Sequence, residues 1–590
     1  MQPALTYYQE RLNAFQNQIK TLTTKLNMLS VLRILVFLAT ITGVYFLNHN
    51  WLITTFILVI GTALFLWLLS RYTDFKHQKR FVKLLFKINQ DEIEIVNGTY
   101  KNRADGLQYL NPQHPYSLDI DLFGKGSFFQ YVNRTATQEG ETLLANLLLE
   151  NSIENIPNKQ AAINELAQQH AWRQEYTATA KMIDTEHNSA EVLKWLQTYR
   201  SQFSKTHLKL SALFSAASLV VIAVVAAQGL SLMFLGYWLL FGLAISALYL
   251  KKVNQLSAQS SKAKDVLKSY ASLLDKIETA NFKSAILAEK QQQITDNGTK
   301  ASTVLLRLSK SIDHLDNRNN IIWAFLANGF FLVDLRQSYR IEKWISKYGH
   351  LAETWFSTIS FFDAYNTLGT YTFNHPESVF PTISTNSPAI SAMALAHPLI
   401  ERDKRIPSDV NINNQEFFIV TGANMAGKST FLRTIGLHIV MANVGLPVCA
   451  AKSTYNPVKL ITSMRTTDSL TDESSYFFSE LTRLKFVVDT LATTPHFVIL
   501  DEILKGTNST DKAIGSRKFV EKLITLNATG IIATHDLSLC EIEATQTAVK
   551  NYYFDAEIKN DDLYFDYKLK QGICQNMNAS FLLKKMRIVE

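Results

Sequence analysis

The stretch from Val420 to Leu432 reads VTGANMAGKSTFL, and residues Gly422 to Ser429 fit the spacing G-x-x-x-x-G-K-S. Residue types in that order can grip a nucleotide's phosphates. Gly422, Ala423, Asn424, Met425, Ala426 and Gly427 form a loop whose backbone N–H groups can close on phosphate oxygens. The N-terminus of a following helix adds a favourable field. Lys428 would pair with the β- and γ-phosphates, Ser429 would ligate Mg2+, and Thr430 continues the turn into the helix. An apolar run, EFFIV, precedes the loop and a helix-compatible run, TFLRTIGLHIVMANVG, follows it. That strand–loop–helix context lowers a chance-match probability of about 2% expected from average composition. The expected cofactors are ATP and Mg2+.

Two further stretches supply acid–base chemistry. HFVILDE (496–502) is a buried-strand run ending in two carboxylates. Asp501 is placed to hold Mg2+ through water and Glu502 to polarise an attacking water. A lone acidic pair after an apolar run is often just a solvated strand end, but its position after a phosphate loop favours the functional reading. GIIATHD (530–536) ends a third apolar run at His535, which at a strand's C-terminal edge can contact a γ-phosphate or the lytic water. The bland alternative is a solvent-facing loop histidine. The expected catalytic set is therefore Glu502, His535 and Lys428.

Positioning such residues requires a parallel α/β sheet, assigned to residues 371–590. Upstream segments from about Tyr116 to Leu196 and from Asn254 to Thr367 lack strand alternation and predict long amphipathic helices. The chain has 590 residues, too many for a single core. Its net charge of +8 suits an anionic membrane surface or nucleic acid equally. Three cysteines, Cys449, Cys540 and Cys574, show no metal-ligand spacing and imply a reducing setting for that part.

Four apolar runs interrupt this polar frame: Leu29–Leu47, Trp51–Leu69, Leu210–Ala227 and Leu230–Leu250. Each is about 18–21 residues, long enough to cross a hydrocarbon layer of ~30 Å, and shorter buried core helices are the alternative. Lys20, Lys25, Arg71, Lys76, Lys79, Arg80, Arg200, Lys205, Lys209, Lys251 and Lys252 flank them on one side only, and Arg33 lies near the same end of the first run. The positive-inside rule then places the two short loops outside and the remainder in the cytoplasm. The expected location is an inner or cytoplasmic membrane with four spans and both termini cytoplasmic. Leu12, Phe15, Ile19, Leu22, Leu26 and Leu29 share a helical face, which predicts packing on the protein's own helices in preference to a dimeric coiled coil.

The expected organisation is an amphipathic helix (1–28), a membrane hairpin (29–70), a connector (71–115), a helical core segment (116–209), a second hairpin (210–250), a helical lever (251–370) and an ATPase domain (371–590). In the first core segment Thr137 can cap a helix and Glu139 and Glu141 suit its N-terminal field.

TGANMAGKST, DESSYFFSEL, LDEILKGTNSTD and ATHD occur in the order and spacing of a MutS-type ATPase domain, and the chain resembles the MutS family. Asn424 and Met425 match that family's TG-NM-GKS loop. Asn133, Arg134, Thr135, Thr137, Gly140, Leu143, Leu144, Ile156, Gln160, Ala162 and Leu166 are similar to its core domain. His397 and Pro398 resemble its nucleotide-side HP motif, and Ser475, Tyr476, Phe477 and Glu480 line up with its ABC-like signature. The resemblance implies an α/β P-loop (ABC-type) fold, preceded here by an all-α region carrying two transmembrane hairpins. It also implies ATP hydrolysis, with Ser475 reaching a partner's nucleotide, and hence a homodimer. LKQGICQNMNASFLLKKMRI resembles the family's closing segment. One departure is Glu473, where the family has glycine before the signature serine. An ABC transporter fits less well, because no LSGGQ-like sequence is present.

Mismatch-reading members present Phe-x-Glu in an N-terminal domain. Here that spacing occurs in FSE (Phe478–Glu480) and FVE (Phe519–Glu521), both inside the ATPase domain. The second hairpin stands where the family's levers run out to a DNA clamp. Two functions follow: a membrane-anchored MutS-type ATPase in DNA mismatch repair or DNA binding, and a mechanochemical membrane ATPase in signalling or assembly. The lipid bilayer is a partner in both; DNA is a partner only in the first.

Overall fold

A computed structural model describes residues 2–47, 50–182, 189–295, 298–386, 388–423, 425–465, 476–559 and 562–575. Asn424, Glu473, Ser475, the loop between the first two apolar runs and most of the closing segment lie outside these.

Two long helices open the chain, α1 (Gln2–Phe46) and α2 (Trp51–Val96). They pair along their length, and each is apolar in one half and polar in the other. Neither breaks at the apolar–polar border, so α2 runs straight through the boundary expected near residue 70; no proline interrupts it. In the polar half, Phe15 and Leu22 of α1 are buried against Val82 and Leu85 of α2. Leu26 is buried as well, as self-packing predicts.

Next come α3 (Phe128–Val132), α4 (Gln138–Leu149), α5 (Ile156–Gln168), α6 (His170–Lys181) and α7 (Ser189–Thr198). A second long pair follows, α8 (Lys205–Gln228) and α9 (Met233–Thr279). Like α2, α9 crosses its expected boundary, at residue 250, unbroken. Among the described residues four helices are long and apolar enough to cross a membrane, namely α1, α2, α8 and α9. Their apolar stretches leave Leu38, Phe56, Val220 and Leu240 more than half exposed.

Then α10 (Ala285–Gln292), α11 (Ala301–Asp316), α12 (Ile321–Phe331), α13 (Val333–Tyr348) and α14 (Ala352–Asn374) complete the helical region. α12 departs from the amphipathic reading of this stretch: it is apolar nearly all round.

Two buried polar ties hold the helical region together. Thr137 caps α4 as expected, its hydroxyl accepting from Gly140 N at 3.0 Å. Asp363 of α14 then accepts from Ala136 N (3.0 Å), Thr137 N (2.8 Å) and the Thr137 hydroxyl (2.7 Å). Burial pushes the Asp363 carboxyl up to about 6. A Cβ on Gly140 would lie 2.3 Å from Asp363 Oδ2, so only glycine leaves room for this bond.

The second tie joins the first helix pair to α14. Arg134 Nε donates to Glu92 Oε1 at 2.9 Å, Asn374 Nδ2 donates to Glu92 Oε2 at 2.8 Å, and Tyr8 Oη donates to Asn374 Oδ1 at 2.7 Å. Burial alone would raise the Glu92 carboxyl, but the Arg134 guanidinium holds it below the usual range. Glu92→Gln would leave a buried guanidinium uncompensated. It is expected to cost about 3–5 kcal/mol of stability, read by thermal unfolding of the purified protein against the parent; an unchanged midpoint would contradict this role.

The remaining residues form two sheets. Strands β1 (Thr382–Ile383), β2 (Ile390–Leu395), β3 (Ser408–Ile412), β4 (Phe417–Gly422), β5 (Lys452–Tyr455), β6 (Lys459–Ser463), β7 (His496–Asp501), β8 (Thr529–Ala533), β9 (Val549–Lys559) and β10 (Asp562–Gln571) alternate with α15 (Lys428–Val444), α16 (Tyr476–Leu491) and α17 (Ser509–Thr525). The small sheet has order β1-β5-β2-β3 and the large one β10-β9-β4-β8-β7-β6. In the large sheet all pairs are parallel except β9–β10. β4, β7 and β8 are near-continuous apolar runs because helices cover both faces of such a sheet. α15 packs on α4 and α5, so the helical region and the large sheet share one hydrophobic core.

Candidate nucleotide site

The site forms where β4, β7 and β8 end together. β4 is wholly buried and terminates at Gly422, whose φ is 146°. A Cβ there would approach Phe554 O of β9 to 2.6 Å, so the chain can turn out of the sheet here only as glycine. Gly427, at φ 108°, is the N-cap of α15. It directs the free N–H groups of the first helical turn into the loop, as anion binding requires. Met425 sits at φ 67° with its side chain 81% exposed, and Ala426 is buried under the loop.

Lys428, the first residue of α15, folds back into this loop. Its Nζ donates to Gly422 O at 2.7 Å and Ala423 O at 3.0 Å. Burial lowers its ammonium pKa. Ser429 Oγ donates to Asp501 Oδ2 at 2.8 Å. A hydroxyl and a carboxylate so paired at a helix N-terminus are oxygen donors of the kind that would hold Mg2+. Thr430 contributes its carbonyl, accepting from the Thr434 hydroxyl at 2.7 Å within α15.

Glu502 follows Asp501 in left-handed backbone, φ 50°, with Leu504 at φ 59°. Non-glycine residues adopt that region at a cost of order 1–3 kcal/mol, and such strain gathers at functional sites. Its N–H still donates to Ala533 O of β8 at 2.9 Å. The carboxylate reaches His535, Oε1 lying 2.8 Å from Nε2. The hydrogen bond from His535 holds the Glu502 carboxyl down to about 2. His535 Nε2 is also 3.2 Å from Lys428 Nζ, so the three catalytic candidates form one continuous cluster. Thr534 N donates to Val420 O at 3.0 Å, which fixes the residue before His535 against β4.

Glu480 of α16 braces the segment after Glu502 by accepting from Lys505 N at 3.0 Å. The side chain of Arg483, one turn on, donates to Thr462 O of β6 and to the carbonyls of His114 and Pro115. This anchors the signature helix to both the sheet and the helical region.

His397 and Pro398 follow the end of β2. His397 Nδ1 accepts from Leu399 N at 3.3 Å. Burial pushes its imidazole down to about 4, with Arg433 of α15 adding to the shift. Asn424 and Ser475 lie outside the described residues.

Two features escaped sequence reasoning. A Cβ on Gly427 would meet the Tyr567 ring at 3.2 Å, so an exposed aromatic of β10 borders the loop. Tyr567 sits in an irregular stretch of β10 (φ 52°), which erases any strand periodicity. Asp119 accepts from the Thr462 hydroxyl (2.6 Å), Met464 N (3.1 Å) and Arg465 N (2.9 Å), clamping the helical region to β6. Its trace in the sequence is one of two carboxylates, Asp119 and Asp121, alternating with apolar residues in SLDIDLF.

Residues 418–586 match the family model for MutS domain V. The chain is 34% identical over 194 residues to MutS protein homolog 4 of Homo sapiens, covering 31% of this chain and 20% of that one. It is 32% identical over 202 residues to DNA mismatch repair protein MutS of Desulfosudis oleivorans, covering 32% and 22%. Residues 418–586 of the chain belong to the MutS family. The chain spans about a fifth of the length of these curated relatives. The matched MutS domain V contains the whole loop, both carboxylates and His535, and it excludes His397.

Proposed function

We propose that this protein is a membrane-anchored MutS-family ATPase acting as a dimer, with a role in DNA repair or DNA binding. The observation that carries the ATPase reading is the cluster of Lys428, Ser429, Asp501, Glu502 and His535 at the mouth of the glycine loop. Lys428 and the α15 N-terminus would hold ATP phosphates, and Ser429 and Asp501 would hold Mg2+, which supplies charge neutralisation at the phosphates. Tyr567 offers a flat face to a base. Glu502 would accept a proton from water, oriented by His535. Ser475 of one protomer would complete the site of the other.

A second reading is a mechanochemical membrane ATPase outside repair. α1–α2 and α8–α9 run unbroken from apolar stretches into the helical region, which α15 joins to the large sheet. In that reading dimer closure moves these rods, with the protein in the cytoplasmic membrane and its sheets inside. The ATPase rate of the detergent-solubilised protein, with and without duplex, branched or mismatched DNA at low salt, separates the two. Stimulation by DNA is expected for repair; absence of both binding and stimulation would leave the mechanochemical reading.

A further inference from the structure

Resting on the membrane reading of α8 and α9, we infer that α12 is a further lipid-embedded element, a half-span seated on the second hairpin. From residue 319 to residue 333 the chain carries no ionisable side chain. The helix has 11 residues, about 16 Å at 1.5 Å each, or half a hydrocarbon layer.

Its inner side is fitted to the hairpin. A Cβ on Gly242 of α9 would lie 2.1 Å from Gly329 O, and one on Gly329 would lie 2.7 Å from Leu239 Cγ. Close backbone approach through glycines is how helices associate where no hydrophobic force separates helix from solvent. Gly242 lies within the apolar stretch 230–250, so the contact is at membrane depth.

The outer side is apolar and open. Ile321 and Ile322 are 79% and 75% exposed, and Trp323, Phe325 and Leu326 are also exposed. Leu240 and Phe241 of α9, the helix on which α12 packs, are exposed as well. A face of this kind in water would be an aggregation site; in lipid it is ordinary.

The backbone at the turn is the independent observation. Leu332 reverses the chain at φ 46°. The Ser211 hydroxyl of α8 donates to Phe331 O (3.1 Å) and Leu332 O (3.2 Å), and the Ser215 hydroxyl donates to Phe331 O (3.0 Å). Asp334 N donates to Asn328 Oδ1 at 3.0 Å. Serine hydroxyls supplied by a neighbouring helix satisfy these groups where water is absent, as non-helical backbone at membrane depth requires. The Arg318–Asp334 ion pair, at 3.5 Å, closes the element at its polar border. α12 thus ties the hairpin to α11 and α13, so movement of those helices shifts an element already in the bilayer.

The test uses the unaltered protein in phospholipid vesicles, labelled by an apolar photoactivated diazirine and digested with trypsin. Cleavage after Arg318 and Arg336 isolates residues 319–336, peptide 34–71 reports the first hairpin, and peptide 434–452 is an equally apolar, protein-buried reference. Peptide 319–336 is expected to match 34–71 within about twofold and to exceed 434–452 by about tenfold, because the reagent partitions into hydrocarbon. Labelled 34–71 with 319–336 at the level of 434–452 overturns the inference alone. Unlabelled 34–71 overturns the membrane reading and the inference together. Ile322→Cys then identifies the cover: rapid reaction with a water-soluble maleimide places α12 in water, and slow reaction without diazirine labelling places a second copy over it. Either result overturns a lipid-facing α12.

Discussion

Glu502→Gln is expected to lower ATP turnover by about 10²–10⁴-fold, the usual worth of a positioned general base, while nucleotide binding survives. The amide keeps the volume and one hydrogen-bond acceptor but cannot take a proton. The hydrogen bond from His535 holds the carboxyl down to about 2, so the parent is ionised and competent throughout the neutral range. The sign follows: the stabilisation this pair gives is present above the unfolded carboxyl value and is lost as pH falls towards about 2. Because bound ATP would persist, the variant should accumulate as a closed dimer, seen as a shift in sedimentation only with ATP and Mg2+. Turnover undiminished by the substitution would refute Glu502 as the base.

Lys428→Ala should act one step earlier. The Nζ is held by the Gly422 and Ala423 carbonyls, and the side chain is buried. Burial lowers its pKa, so part of its desolvation is met before a phosphate arrives. Loss of a charge-assisted hydrogen bond of about 1.5–3 kcal/mol is expected to weaken ATP binding about 10- to 150-fold. Turnover should fall further, by about 10²–10³, because the same charge would face the developing negative charge on the phosphates. Binding of a fluorescent ATP analogue and steady-state hydrolysis separate the two effects. Parental affinity in the variant would contradict the phosphate role. Together with Glu502→Gln this distinguishes a protein that cannot hold nucleotide from one that cannot cleave it.

The two variants probe the part of the protein most legible in its sequence. The loop, the strand ends at Asp501 and His535 and the Thr137 cap are local devices: each needs a particular residue at a particular spacing, so each leaves a signature. Long apolar runs are equally plain, because period and length alone define them. The N-terminal face of Phe15, Leu22 and Leu26 was readable for the same reason.

Other features depend on residues far apart in the chain. Asp119 meets Thr462, and Asp363 meets Thr137, only after the helical region closes on the sheet. The role of Gly140 in admitting Asp363 is invisible in the motif that contains it. α12 read as one more amphipathic helix, since a short apolar run cannot reveal whether protein or lipid covers it. Its contact with Gly242 and the serine-capped turn are visible only in the fold.

By itself the sequence determined the chemistry on offer, the helices long enough for a bilayer and the α/β character of the last third, since all of these follow from local spacing and composition. Only the tertiary structure decided which carboxylates meet which cations, that Lys428, Glu502 and His535 form one cluster, and that the long apolar helices α2 and α9 continue unbroken into the helical core. Those outcomes depend on burial and on contacts between distant segments, which no local pattern encodes.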